Sequence, residues 1–369
     1  MSRNDAMLIL NALPQVGPIL MGRLLEYFKG DPLAILSSTV NTLLQVHGVG
    51  SKIAELIIHW ERYFDLTREK ETIALRGAIF LDWEHPDYPA LLKEMYDSPI
   101  GIYWLGNYTT DRPCIAVIGT RQPSLYGLKV ARILGAQLAG LGFCVVSGMA
   151  RGVDSAAHEG ALECGGPTIA VLGSGLDIIY PPENKELYDR IIEKGAVVSE
   201  FPFGRRVDRQ TFPMRNRLVA GMCEAVIVVE TGAGGGSMIT ARFAGEQGRL
   251  LMAVPGRIDQ VQAKGCLQLI RDGAILVSTI DDILEELRYE RNGKEKVDEF
   301  CKVPEIDEAL SVNEQAVLSC LLGGELGSLD SLATQTGLPV HEVSVMLVAL
   351  ELKRKVVKRL DGRYEAHTI

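Results

Sequence analysis

Five arginines crowd one short stretch of this chain, Phe203-Gly204-Arg205-Arg206-Val207-Asp208-Arg209-Gln210-Thr211-Phe212-Pro213-Met214-Arg215-Asn216-Arg217, against a single acid, Asp208. Phe201, Phe203 and Phe212 interleave with them. Cations that track a phosphate backbone, with aromatic faces on which bases stack, are what binding a single nucleic-acid strand requires. A solvated charged loop accounts for the arginines but leaves the phenylalanines unexplained. Arg215 and Arg217 also suit structural ion pairs at the start of a following helix. The candidate contacts in this stretch are Phe203, Arg205, Arg215, Asn216 and Arg217.

Four glycine-bearing turns offer related chemistry. Gly119-Thr120-Arg121 follows an apolar run and opens a helical one, so its backbone amides suit an anion. Arg121 adds a planar donor fork matched to phosphate; the competing role is a salt bridge to a neighbouring loop. Ser147-Gly148-Met149-Ala150-Arg151-Gly152-Val153-Asp154 places Arg151 beside close backbone, with Asp154 or Ser155 expected to cap the next helix. Gly173-Ser174-Gly175-Leu176-Asp177 leads through Tyr180-Pro181-Pro182 to Lys185, a cation at a helix start that either faces an anion or is simply solvated. Gly234-Gly235-Gly236-Ser237 again enters a helix, and Ser237 joins the candidates. No lysine stands at the Walker position, which excludes a P-loop.

The elements that must hold these turns are legible as apolar runs: Cys114–Ile118, Phe143–Ser147, Thr168–Leu172, Ala196–Ser199, Ala225–Val229, Leu250–Val254 and Ala274–Val277. Helical patterns fall between them. The alternation predicts a parallel sheet covered on both faces, with ligands outside the carboxyl ends of its strands. All the turns named above fall on that edge.

The length, 369 residues, implies two or three domains, because single cores rarely grow past about 250 residues. Residues 1–70 read as short helices joined by glycine turns, Leu13-Pro14-Gln15-Val16-Gly17-Pro18 and Val46-His47-Gly48-Val49-Gly50-Ser51-Lys52. The second resembles a helix-hairpin-helix, or serves only to turn the chain tightly. Residues 71–290 form the α/β core, 291–304 a charged linker, and 305–369 three helices and a β-hairpin around Asp361-Gly362, the pattern of a winged helix. The net charge of −9 argues against a globally basic nucleic-acid binder but not against a local groove. Seven cysteines form no C-x-x-C pair and six histidines are dispersed, so neither a metal nor a cofactor is expected. No apolar run approaches the roughly 20 residues of a membrane span. Met1-Ser2-Arg3-Asn4-Asp5 lacks the start of a signal peptide. The expectation is a cytoplasmic protein with no membrane partner.

In order along the chain, Asp87-Tyr88-Pro89, Gly119-Thr120-Arg121 with Tyr126-Gly127, Ser147-Gly148 through Asp154, Gly173 through Asp177 with Tyr180-Pro181, Ser199-Glu200, Phe212 through Arg217, Gly236-Ser237-Met238-Ile239-Thr240-Ala241, Val254-Pro255-Gly256 and Gly273-Ala274 resemble the DNA-processing protein A family (DprA, also called Smf). The resemblance covers nearly the whole chain. It implies a sterile-alpha-motif-like or helix-hairpin-helix N-terminal domain, an extended Rossmann-like core and a C-terminal winged helix. It further implies a non-enzymatic protein that binds and protects single-stranded DNA taken up in natural transformation, helps load the RecA recombinase and forms a homodimer. Its DNA pocket falls on Gly119, Thr120, Arg121 and Arg215-Asn216-Arg217. One departure stands out: Leu267 occupies a position where the family usually has Asn.

From Asp307 onward nine acidic residues oppose six basic ones, and the expected recognition helix, His341–Leu352, has neither Lys nor Arg. The winged helix is therefore expected to contribute little to phosphate binding. The rival function is a Rossmann-like nucleotide-processing enzyme of the phosphoribohydrolase kind. The turn at Gly234–Ala241 lacks the Thr and Glu roles of that chemistry, and no acid–base pair replaces them.

Overall fold

Each of the seven apolar runs folds as a strand. β-Branched and small apolar side chains suit a sheet buried on both faces, which needs no polar alternation. The computed structural model describes residues 1–107, 112–289, 310–321, 325–353, 355–359 and 361–366. The strands are β3 (Cys114–Ile118), β4 (Cys144–Ser147), β5 (Thr168–Leu172), β6 (Ala196–Ser199), β7 (Ala225–Val228), β8 (Leu250–Ala253) and β9 (Ile275–Leu276), preceded by β1 (Ile79–Asp82) and β2 (Gly101–Gly106). The sheet runs β1-β2-β6-β5-β4-β3-β7-β8-β9. All pairs from β6 to β9 are parallel, whereas β1–β2 and β2–β6 are antiparallel. β1 and β2 were not anticipated. They are short, and Gly101-Ile102-Tyr103-Trp104-Leu105-Gly106 lacks the aliphatic signature of its parallel neighbours.

Alternate residues divide between two apolar cores. Tyr103, Ala170, Leu172 and Val197 face one side, where they pack with the N-terminal helices. Ile102, Trp104, Ile169, Val171, Ala196 and Val198 face the other, against Leu218, Val219 and Ala241. The two-residue period of a strand sends neighbours to opposite faces. The helical residues of 1–70 thus share a core with the sheet. Gly17 and Gly50 stand immediately before the helices Pro18–Tyr27 and Ser51–Ile58, as anticipated.

The chain steps outward from β3 through β4 and β5 to β6, then returns to lay β7 on the other side of β3. That reversal opens a crevice at the carboxyl ends of the strands. The architecture is α/β, with a Rossmann-like, mostly parallel sheet.

The C-terminal region holds helices Val312–Ser319, Leu329–Thr336 and Val340–Leu352 and a small sheet, β10-β12-β11, of Leu326–Gly327 (β10), Val356–Lys358 (β11) and Tyr364–Ala366 (β12). Its core comprises Val317, Leu321, Leu332, Val343, Leu347, Leu350, Val356 and Tyr364. Gly362, at φ 82°, turns the hairpin where Asp361-Gly362 was expected to. This is a winged helix. The linker assigned to 291–304 lies outside the described residues.

Candidate nucleic-acid interface

A cavity of about 410 Å³ occupies the crevice between β3 and its neighbours. Gly119, Thr120 and Arg121 line it from the loop after β3. Gly148, Ala150 and Asp154 line it from the loop after β4, Phe212, Arg215 and Asn216 from the helix Thr211–Gly221, and Gly236 and Ser237 from the start of Gly236–Glu246. First-turn amides of a helix have no intrahelical acceptor and carry partial positive charge. The floor is apolar, with Ile118, Val219 and Ile239.

Arg215 is buried in the wall, 5 % exposed. Its Nη1 donates to the carbonyl of Val171 at 2.7 Å and also to that of Gly148, and its Nε donates to Asn216 Oδ1 at 3.1 Å. Nη2 has no hydrogen-bond partner among the described residues, which leaves its two N–H groups for a ligand. Burial pushes the guanidinium pKa down to about 10, with Asp154 opposing the shift and Arg121 adding to it. Arg215 therefore stays charged near neutrality. Asp154 is itself buried, and burial raises its pKa against the pull of Arg215. Its Oδ2 accepts the amides of Gly148 (3.2 Å) and Ala150 (3.3 Å). Asp154 thus ties down the β4 loop instead of capping the helix Val153–Glu163, whose N-cap is Gly152 with no side-chain bond. Ser155 donates to Ala150 O at 2.7 Å and does not cap it either.

Along the rim, cations and aromatic rings alternate. The guanidinium of Arg121 lies 4.9 Å from the centre of the Phe212 ring. Phe212 meets Tyr180 at 5.9 Å between ring centres, and Arg151 stands 6.0 Å from the Tyr180 ring. Arg121 has no carboxylate within ion-pair distance among the described residues, so the alternative of a structural salt bridge finds no partner. Arg151 is paired with Glu183 but remains half exposed. Gln122 and the amide of Asn216 complete the polar rim.

Six of the sequence candidates therefore converge on one cavity: Gly119, Thr120, Arg121, Arg215, Asn216 and Ser237. Arg151 joins them in a small adjoining recess with Tyr180 and Phe212. Ser237 spends its hydroxyl on Thr231 Oγ1 at 2.7 Å, so its offering to a ligand is the helix start on which it sits.

Four candidates are placed elsewhere. Arg217 lies on the opposite face of its helix from the cavity. There its guanidinium grips both oxygens of buried Glu200 and donates to the carbonyl of Asp97 at 2.6 Å. Two residues along a helix is a rotation of about 200°, so Arg215 and Arg217 cannot share a wall. Phe203 turns inward and packs edge-on against buried Tyr103 at 5.6 Å. Arg205 pairs with Asp208 at 2.5 Å. Asp208 accepts the amides of Gln210 (2.8 Å) and Thr211 (3.0 Å) and so starts the helix that carries Phe212. Lys185 pairs with Asp189 one turn along its own helix instead of facing an anion. Sequence reasoning counted Phe212 among the aromatics of its stretch but did not name it as a site residue, and it missed the contact of its ring with Tyr180. Tyr180-Pro181-Pro182, at the carboxyl edge of β5, was the available signal.

Fold and cavity define a doubly wound α/β protein with an arginine-walled pocket at its topological switch point, and a winged helix. The family model for DNA recombination-mediator protein A matches residues 79–288, and that for the DprA winged helix domain matches 304–363. The chain belongs to the DNA recombination-mediator protein A family. It is 37 % identical over 284 residues to the Smf protein of Synechocystis, covering 74 % of this chain and 69 % of that one. The X-ray structure of DprA from Streptococcus pneumoniae superposes with a TM-score of 0.66 at 33 % identity, over 77 % of this chain and 97 % of that one. DprA from Helicobacter pylori, whose structure describes a single-stranded DNA binding mode, matches with a TM-score of 0.52 at 30 % identity, over 57 % and 95 % of the two chains.

Proposed function

We propose that this protein binds and protects single-stranded DNA during DNA uptake in natural transformation, and helps load the RecA recombinase onto it, without enzymatic activity of its own. The observation that carries this is the row Arg121–Phe212–Tyr180–Arg151 along the rim of a cavity walled by Arg215. Phosphates would lie against Arg121, the free Nη2 of Arg215 and the start of the helix Gly236–Glu246. Bases would stack on Phe212 and Tyr180, a sequence-tolerant mode. A duplex hides the faces of its bases, so this site favours a single strand. Family membership and the single-strand binding described for the Helicobacter pylori relative support the same assignment.

The site comprises Gly119, Thr120, Arg121, Arg151, Phe212, Arg215, Asn216 and the helix start at Gly236-Ser237. The proposed domain plan keeps 1–70 as a helical domain, 71–290 as the DNA-binding core, 291–304 as a linker and 305–369 as the winged helix. A homodimer, a RecA partner and a cytoplasmic location belong to the same proposal and rest on the family resemblance. The test is cross-linking of the full chain to a labelled oligonucleotide in the presence and absence of RecA. Adducts at Phe212 and Tyr180, together with chain-to-RecA cross-links, are expected. Adducts confined to other surfaces would contradict the site, and the absence of RecA cross-links would contradict the partner.

A further inference from the structure

Glu69, on the helix Leu66–Arg76, is 7 % exposed, and no lysine, arginine or histidine stands within ion-pair distance of it among the described residues. A buried carboxylate without a cation is costly. Its surroundings show how it is used. One oxygen accepts the backbone N–H of Phe203 at 3.0 Å. The Phe203 ring stands edge-on to Tyr103, which stands edge-on to Phe80 at 5.2 Å. Burial raises the pKa of Glu69, and the amide of Phe203 is the largest influence holding it down.

After Phe203, successive residues of the segment that leads to the pocket helix are each held by a short bond. The amide of Gly204 donates to Asp177 at 2.8 Å. The carbonyl of Arg205 accepts from Gly175 at 2.9 Å. Arg205 pairs with Asp208, and Asp208 starts the helix bearing Phe212 and Arg215. A second N-terminal side chain, Asn11, donates to the carbonyl of Glu200 at 3.0 Å, three residues before Phe203. Two separate N-terminal helices therefore bind the segment that delivers the pocket helix.

We infer that the N-terminal helices set the position of the pocket helix, with Glu69 as a positioning residue for single-strand binding; this rests on the function proposed above. The hydrogen-bond acceptor at Glu69 is the working part. Removing it frees Phe203, loosens the loop through Asp208 and lets Phe212 and Arg215 drift from Arg121.

The test compares the full chain with Glu69→Ala and Glu69→Gln, using a labelled oligo-thymidine at several salt concentrations. Glu69→Ala is expected to bind roughly tenfold more weakly, about the worth of one positioned contact. Its salt slope should also be shallower by about 0.7, as one phosphate contact is lost. Glu69→Gln keeps an acceptor and should stay within about twofold of the parent, a small fraction of one tenfold step. A merely structural role would lower the active fraction and leave the slope unchanged, which would overturn the inference. Equal weakness in both variants would overturn the role of the acceptor. Amide hydrogen exchange provides a readout independent of DNA: Glu69→Ala should accelerate exchange from Phe203 to Met214. Unchanged exchange there would overturn the inference even if the parent protein failed to bind DNA, an outcome that would itself sink the proposed function.

Discussion

The guanidinium of Arg215 fills the space a side chain at position 148 would take: a Cβ on Gly148 would come within 2.7 Å of Nη2, and closer still to Nη1 and Cζ. The same arginine donates to the Gly148 carbonyl. The glycine is needed here for close approach, not for an unusual φ. Gly148→Ala should displace Arg215 and cost about 1–3 kcal/mol, the usual range for overpacking. Single-strand affinity should fall with it. Chemical denaturation and binding titration check the two effects. Wild-type affinity in a folded Gly148→Ala protein would show that Arg215 does not need its present position.

Arg217 and Glu200 form a buried pair away from the pocket. Breaking such a pair by removing one partner costs about 3–5 kcal/mol, because a buried charge is left alone. Arg217→Leu should therefore destabilise strongly, and adding Glu200→Leu should recover much of the loss. The salt dependence of DNA binding by the folded fraction should be unchanged. A shallower slope in Arg217→Leu would instead make Arg217 a phosphate contact.

The positions of these two arginines mark where the sequence stopped being legible. The seven parallel strands could be read because uniform burial demands uniform apolarity, and the loops at their carboxyl ends followed from topology. Gly119, Thr120, Arg121, Arg215 and Asn216 were legible for that reason. Which arginine of Arg215-Asn216-Arg217 faces the cavity depends on the rotation of the helix about its axis. That rotation is fixed by Leu218 and Val219 packing into the sheet and by Glu200 on another strand's loop. The inward turn of Phe203 depends in the same way on Tyr103, in a strand the apolar pattern did not reveal. Pairings such as Lys185 with Asp189 were within reach, since the spacing of four is visible in the sequence.

His158 is buried, and its pKa is pushed down to about 3, first by burial and then by the charge of Arg215. The unfolded chain binds this proton near pH 6.5. The folded-state value is depressed, so the stability contribution is fully present above about pH 6.5 and is lost as pH falls toward about 3. By pH 5 the loss reaches about 2 kcal/mol. Buried Asp154 and Glu200 have raised values and act with the opposite sign, so the comparison must be with His158→Gln. The stability advantage of wild type over this variant should shrink by about 2 kcal/mol between pH 7 and pH 5. An advantage independent of pH would contradict a neutral, buried His158.

Within the winged helix, Lys353 pairs with Glu314, Arg359 with Glu365 and Arg363 with Asp361. The helix Val340–Leu352 bears no cation and exposes Val345 and Val348. Deleting 305–369 should leave single-strand affinity within about threefold, less than one lost contact is worth. A collapse in affinity would assign DNA contacts to this domain.

The arginine-walled pocket is tested most directly by the salt dependence of single-strand binding. For a labelled oligonucleotide, the logarithm of the association constant is measured against the logarithm of salt concentration for wild type, Arg121→Ala and Arg215→Ala. Each substitution should weaken binding and flatten the slope by about 0.7, the share of one phosphate contact on a single strand. Unchanged affinity and slope in both variants would contradict the pocket as the DNA site.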